Sequence, residues 1–158
     1  MVTWPKVSVN TEKDFDMCFG CGKDNPIGLK LRFNWDGKTA RAEFTPNKFY
    51  QGWSGVIHGG IITCILDEAM TYASYFGGMD CLTADMQVRL RRPALVDEPL
   101  LIVSSITKKT RRLVETKAVI SLKDGTPVAE GKSTQFVIST KRSQTSRKEK
   151  ETKSNAQK

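Results

Sequence analysis

The chemistry open to this chain turns on one stretch, Gly55-Val56-Ile57-His58-Gly59-Gly60, and on the acidic pair Asp67-Glu68 that follows it. His58 is the only histidine, so any imidazole chemistry is confined to that position. Gly59 and Gly60 stand where an apolar helical run begins, and glycines let a ligand approach backbone N–H groups that no helical carbonyl has claimed. Those donors, with the positive end of the helix dipole, suit a polarised carbonyl or a developing oxyanion. A tight loop packed for structural reasons explains the same glycines without a ligand. Asp67 and Glu68 lie in an otherwise apolar helix, which rarely buries a carboxylate without a partner or a task. Asp67 follows Gly60 by seven residues, so the two share a face yet stand about 10 Å apart along the axis, too far for one carbonyl to touch both. An antiparallel copy of the helix from a second chain would bring Asp67 of one chain opposite Gly60 of the other. A carboxylate bonded to Thr71 or to backbone is the alternative for Asp67, and Glu68, about 100° round the helix, reads as a structural ion-pair member.

The elements that must position these groups follow from hydrophobic patterning. Residues 1–27, with Pro5, Pro26 and the turn-rich CFGCGKDNP, read as an irregular arm. Leu29, Leu31, Phe33 and Trp35 alternate with polar residues as in a half-buried strand ended by Asp36-Gly37, and Thr39–Thr45 supplies the second strand of a hairpin. Residues 60–76 carry apolar side chains nearly all round and predict a buried helix stopped by Gly77-Gly78. Four longer strands are expected at Leu82–Arg91, Leu100–Lys108, Leu113–Leu122 and Pro127–Ile138, the last two joined by the turn Lys123-Asp124-Gly125-Thr126. In the first of these, Ala84, Met86, Val88 and Leu90 are expected on the core face, opposite Thr83, Asp85, Gln87 and Arg89. One buried helix with about six mostly antiparallel strands is an α+β layout. The domain is therefore expected over residues 28–138, followed by a basic tail over 139–158.

The chain has 158 residues, 39% apolar and 27% charged, which suits one domain rather than two. Its net charge is +8, but residues 139–158 hold seven Lys or Arg against two Glu, which leaves +3 on the body. The tail has one apolar residue, Ala156, and reads as disordered, so specific nucleic-acid recognition is not expected. No apolar run is long enough to span a membrane, and MVTWPKVSVN lacks a signal-peptide layout, so a cytoplasmic location is expected.

The stretch GWSGVIHGGIITCILDEAM, with helix, hairpin and long strands around it, resembles the hotdog-fold acyl-CoA thioesterases of the PaaI-like group in the 4-hydroxybenzoyl-CoA thioesterase superfamily. CFGCGKDNPIGLKLRF also resembles an N-terminal extension found in one branch, so the similarity covers about residues 15–138. The resemblance implies a curved antiparallel sheet wrapped around one long helix, paired into a homodimer and often a tetramer. It implies that Asp67 acts as nucleophile or general base and that the backbone N–H of Gly60 polarises the thioester carbonyl. His58 and Gln51 are then supports near the thioester, Gly59 borders the substrate, and Thr83 falls where the family places a polar pocket residue. A non-catalytic hotdog module that binds acyl-CoA or another hydrophobic ligand is the alternative.

A thioester carbonyl carries little resonance stabilisation, so one donor and one carboxylate suffice and no cofactor is demanded. Coenzyme A carries three phosphate groups, for which Arg89, Arg91 and Arg92 are the first candidates and Lys108, Lys109, Arg111 and Arg112 the second; a solvated sheet edge explains both clusters equally. Cys18-Phe19-Gly20-Cys21 is a CxxC, but Cys64 and Cys81 are each alone, so a second pair is missing. A buried turn without metal is the reading, with zinc or redox chemistry as alternatives. Tyr50, Trp53, Tyr72, Tyr75 and Phe76 are expected in the core rather than in an acyl pocket.

Overall fold

The computed structural model describes residues 15–140; the start of the arm and residues 141–158 of the expected tail lie outside the described residues. One helix, α1 (Gly59–Phe76), packs against a six-stranded antiparallel sheet of β1 (Asn34–Trp35), β2 (Ala40–Phe44), β3 (Met79–Leu90), β4 (Leu100–Lys109), β5 (Leu113–Leu122) and β6 (Pro127–Thr140). The order across the sheet is β1-β2-β4-β5-β6-β3. This is the α+β, hotdog layout that the sequence implies. Strand β6 runs two residues past the expected domain boundary, with Ser139 and Thr140 paired to Asp80 and Met79.

The core is set by two periods. On α1, Ile62, Ile65, Leu66, Ala69, Met70 and Ala73 are buried, a helical spacing that aims one face at the sheet. On the strands, alternate residues Ala42, Ile102, Ile120 and Ala129 line up in register beneath it. Complete burial of Ile65, Leu66 and Met70 contributes about 1.5–3 kcal/mol each. The helix approaches so closely that a side chain on Gly131 of β6 would come within 3.3 Å of the Met70 methyl carbon, and Ser104 of β4 donates to the Ala69 carbonyl at 2.5 Å. The stop expected at Gly77-Gly78 is present, with Gly78 at φ 85°, a conformation that favours glycine.

Two expectations are corrected. The strand expected from Leu29 pairs only at Asn34 and Trp35. Leu29 and Leu31 are buried, as their alternation implies, but their N–H groups bond the Phe19 and Gly20 carbonyls of the arm, and Lys30 between them sits at φ 59°. The arm has displaced β2 as their partner. Phe15 of the arm, with Phe33 and Trp35 of the segment that follows it, then makes ring contacts with α1, Phe15 with Tyr75, Phe33 with Tyr72 and Trp35 with Phe76, at centroid separations of 5.5, 4.7 and 5.6 Å. The second correction concerns β3, whose register slips between Thr83 and Asp85. The bulge adds one residue and reverses the alternation, so Thr83 joins Met86 and Val88 on the helix side.

Candidate functional site

The start of α1 is held by a looped segment before it. Gln51 bridges Ile57, the Gln51 side-chain oxygen accepts from the Gly55 N–H at 3.0 Å, and Gly55 makes the turn at φ 78°. The Ile57 N–H bonds the Ala94 carbonyl, and the His58 N–H bonds that of Tyr50, which fixes where the helix begins. His58 is the N-cap, and its Nδ1 accepts from the Gly60 N–H at 2.9 Å. An imidazole that accepts at Nδ1 is neutral and carries its proton on Nε2. The donor expected to meet a carbonyl is thus satisfied within the chain by the histidine beside it.

A groove of about 810 Å³ opens at this point, lined by Trp53, His58, Gly59, Ile62, Leu90 and Arg92 among others. Trp53, expected in the core, is 88% exposed and forms part of the groove wall. Its position on the loop between the Gln51–Ile57 bridge residues keeps it from reaching the core. Leu90 is also largely exposed, being the last residue of an edge strand. Of the cations expected for phosphate, Arg91 and Arg92 line the groove, where Arg91 pairs with Glu130 at 2.6 Å and Arg92 with Glu98 at 3.4 Å. Arg89 does not join them. It faces a second hollow of about 530 Å³ on the other side of the sheet, with Lys117 and Lys132. In the second cluster Lys109 reaches the Gly77 carbonyl at 3.4 Å, at the far end of α1 from the groove.

Asp67 stands two turns along α1, half-buried, and is not among the groove residues. Its Oδ1 accepts from the Thr83 hydroxyl at 2.7 Å, a contact made possible by the β3 bulge. The structure therefore brings together Asp67 with Thr83, and separately His58, Gly59 and Gly60 with Arg91 and Arg92. Gln51 lies beside the second group, with its carboxamide oxygen engaged by its own loop.

Glu68 forms no ion pair with a basic side chain among the described residues, contrary to expectation. The arm brings the Cys18 thiol to its two carboxylate oxygens, at 3.6 and 3.7 Å, and Cys21 adjoins both. Burial pushes the Glu68 carboxyl above its ordinary range, against hydrogen bonds from the Cys21 and Cys18 thiols that favour the charged form. Burial likewise raises the Cys21 thiol, with its hydrogen bond to Glu68 adding to the rise, and pushes Cys64 up to about 11. This cluster escaped sequence reasoning because its halves lie 50 residues apart; the signal was the CxxC together with an acid that had no cation at helical spacing.

The profile of the thioesterase superfamily matches residues 54–129, which include the loop, α1 and most of the sheet. Over these residues the chain matches the thioesterase superfamily. Among solved structures, a hypothetical thioesterase of Streptococcus pneumoniae, determined with coenzyme A, superposes with a TM-score of 0.66 at 16% identity, covering 70% of this chain and 87% of that one. The Escherichia coli PaaI protein from the phenylacetic acid degradation operon gives 0.66 at 17% identity, covering 71% and 82%. A further thioesterase superfamily protein gives 0.69 at 26% identity, covering 73% of this chain and 60% of that one. No curated protein matches significantly. The superfamily match includes His58, Gly60, Asp67 and Thr83, whereas the CxxC arm falls outside it. Among the described residues no helix is long and apolar enough to cross a membrane.

Proposed function

We propose that this protein hydrolyses acyl-CoA thioesters at a site shared by two copies of the chain. Asp67 serves as nucleophile or as general base for water, and the Gly60 N–H is the donor to the thioester carbonyl. The observation that carries this reading is the division of the machinery: a backbone donor and groove at the start of α1, and a carboxylate oriented by Thr83 two turns on. About 10 Å of helix separates them, so within one chain no carbonyl group meets both. An antiparallel α1 from a second copy closes that gap. Strand β3 is a suitable place for the pairing, because among the described residues it ends the sheet, runs 12 residues and bonds β6 along one edge only. Long edges of this kind are templates for another strand.

In this reading the acyl-CoA displaces the His58 ring, and its carbonyl oxygen takes the Gly60 N–H. The Thr83 hydroxyl holds one Asp67 oxygen and leaves the other to remove a proton from water or to attack the carbonyl carbon. On the base route, collapse of the tetrahedral intermediate breaks the carbon–sulfur bond and the CoA thiolate takes the proton held by Asp67; on the nucleophile route the thiolate leaves an acyl–Asp67 anhydride, takes its proton from solvent, and water hydrolyses the anhydride to regenerate the carboxylate. Arg91 and Arg92 receive phosphate groups at the groove, in exchange for Glu130 and Glu98. The determination of a structural neighbour with coenzyme A supports that ligand class.

The test is release of free thiol from a panel of short, medium, long and aryl acyl-CoAs, with light scattering to give the oligomeric state. Turnover by a dimer or tetramer, reduced about 10²–10⁴-fold in Asp67→Asn, is expected. Undiminished turnover in that variant would remove Asp67 from the mechanism. Ligand binding without turnover on any thioester would favour the non-catalytic module, for which the satisfied Gly60 N–H is the structural argument.

A further inference from the structure

The arm and α1 meet at a group of side chains that the proposed hydrolysis does not use. The Cys18 and Cys21 sulfurs and a Glu68 carboxylate oxygen all lie within 4.8 Å of one another. We propose that these three residues bind one divalent zinc-class ion, which fastens the N-terminal arm onto α1.

Five observations converge on this site. The donor set, two thiolates and a carboxylate, is one that zinc takes. Tetrahedral zinc with its usual bonds to sulfur and oxygen separates the two ligand atoms by about 3.6 Å, and Cys18 Sγ lies 3.6 Å from Glu68 Oε1. The CxxC turn is closed by the Gly22 N–H bonding the Cys18 carbonyl at 2.8 Å, which returns the second cysteine beside the first. A side chain on Gly20 would lie 2.5 Å from the Glu68 carboxyl carbon, so a glycine at that position leaves space for the carboxylate. Glu68 is partly buried with no basic partner among the described residues, and a divalent ion supplies the missing positive charge. The fourth ligand is water.

The thiols and the carboxyl must lose their protons when the ion binds, so uptake releases protons and stabilises the assembled arm. The experiment uses the full, tag-free chain purified under reducing conditions without chelator. Zinc is measured by elemental analysis, cobalt is then substituted and its thiolate charge-transfer absorption recorded, and melting is followed with and without chelator. Roughly one zinc per chain, a thiolate-to-cobalt band and a lower melting temperature in chelator are expected. Cys18→Ser with Cys21→Ser, and separately Gly20→Ala, should lose the ion, whereas Cys81→Ser keeps it. A folded, reduced chain that takes up neither zinc nor cobalt overturns the proposal, as does metal retained by the double cysteine variant. Should the double variant fail to fold, the wild-type cobalt spectrum and Glu68→Gln decide: bound cobalt without a thiolate band, or uptake undiminished in Glu68→Gln, refutes the assignment. A disulfide between Cys18 and Cys21 in place of the ion under these conditions refutes it equally.

Discussion

Replacing His58 by alanine separates two roles that a histidine at a helix start can play. In the structure Nδ1 accepts from the Gly60 N–H at 2.9 Å, so a carbonyl that uses this donor must first displace the ring. A hydrogen bond of this kind contributes about 0.5–1.5 kcal/mol net. If that displacement is part of the barrier, removal of the ring should raise kcat/KM by about 2–13-fold. The same bond caps α1, so the variant should lose about 0.5–2 kcal/mol of stability. For a chain of this length that corresponds to a fall of about 1–8 °C in Tm. Thiol release under kcat/KM conditions reads the first effect and a thermal melt the second. His58→Asn keeps a side-chain acceptor at the cap and should give near wild-type values for both. A folded His58→Ala variant whose kcat/KM drops about 100-fold would refute the reasoning, and would assign the carbonyl contact to the Nε2–H of the imidazole instead.

Thr83→Val removes the hydroxyl that donates to Asp67 at 2.7 Å; a bond to a charged acceptor is worth about 1.5–3 kcal/mol, so kcat should fall about 10–150-fold with KM little changed. Thr83→Ser should restore most of that loss, and full activity in the valine variant would dismiss the positioning role. Asp36 accepts from the Thr39 hydroxyl and from the Thr39 and Lys38 N–H groups at the β1–β2 turn, and these bonds hold its carboxyl well below the ordinary range. Its folded value lies under its unfolded value, so the stabilisation is present above the ordinary carboxylate range and is lost as pH falls through it toward the folded value. Melting temperatures from pH 7 down to 2 should therefore converge for wild type and Asp36→Ala; a constant gap would contradict this origin. Truncating Leu66, fully buried on the sheet-facing side of α1, to alanine should cost about 2–5 kcal/mol in a denaturant titration.

The strand and helix pattern was readable because each element obeys its own period. Residues 60–76 are apolar nearly all round, and in the fold α1 packs on the sheet along one face while its aromatic residues meet Phe15 of the arm, Phe33 and Trp35. The expected bounds of the four long strands agree with those observed to within a few residues. The site was legible in part. A lone histidine before two glycines marked the helix start, and the spacing to Asp67 disclosed that one chain separates donor from acid. Thr83 came from family resemblance, while its alternation with Met86 pointed it the wrong way; the bulge is hidden because Ala84 keeps the apolar alternation of Leu82 and Met86 unbroken. Trp53 and Arg89 were misjudged for a related reason, since residue type alone does not say which side of a sheet or loop a side chain takes.

What the sequence determined by itself was local: the helix and its cap, the alternation of the strands, the turns at Asp36 and Asp124, and the identity of the groups able to do chemistry. What only the tertiary structure decided was non-local: that Cys18 meets Glu68, that Leu29 and Leu31 bond the arm rather than β2, and that the Thr83 hydroxyl meets Asp67. Local order follows from backbone and side-chain periods within a few residues. Pairings across 50 residues depend on which of several compatible partners packing brings within bonding distance, and neither composition nor spacing encodes that choice directly.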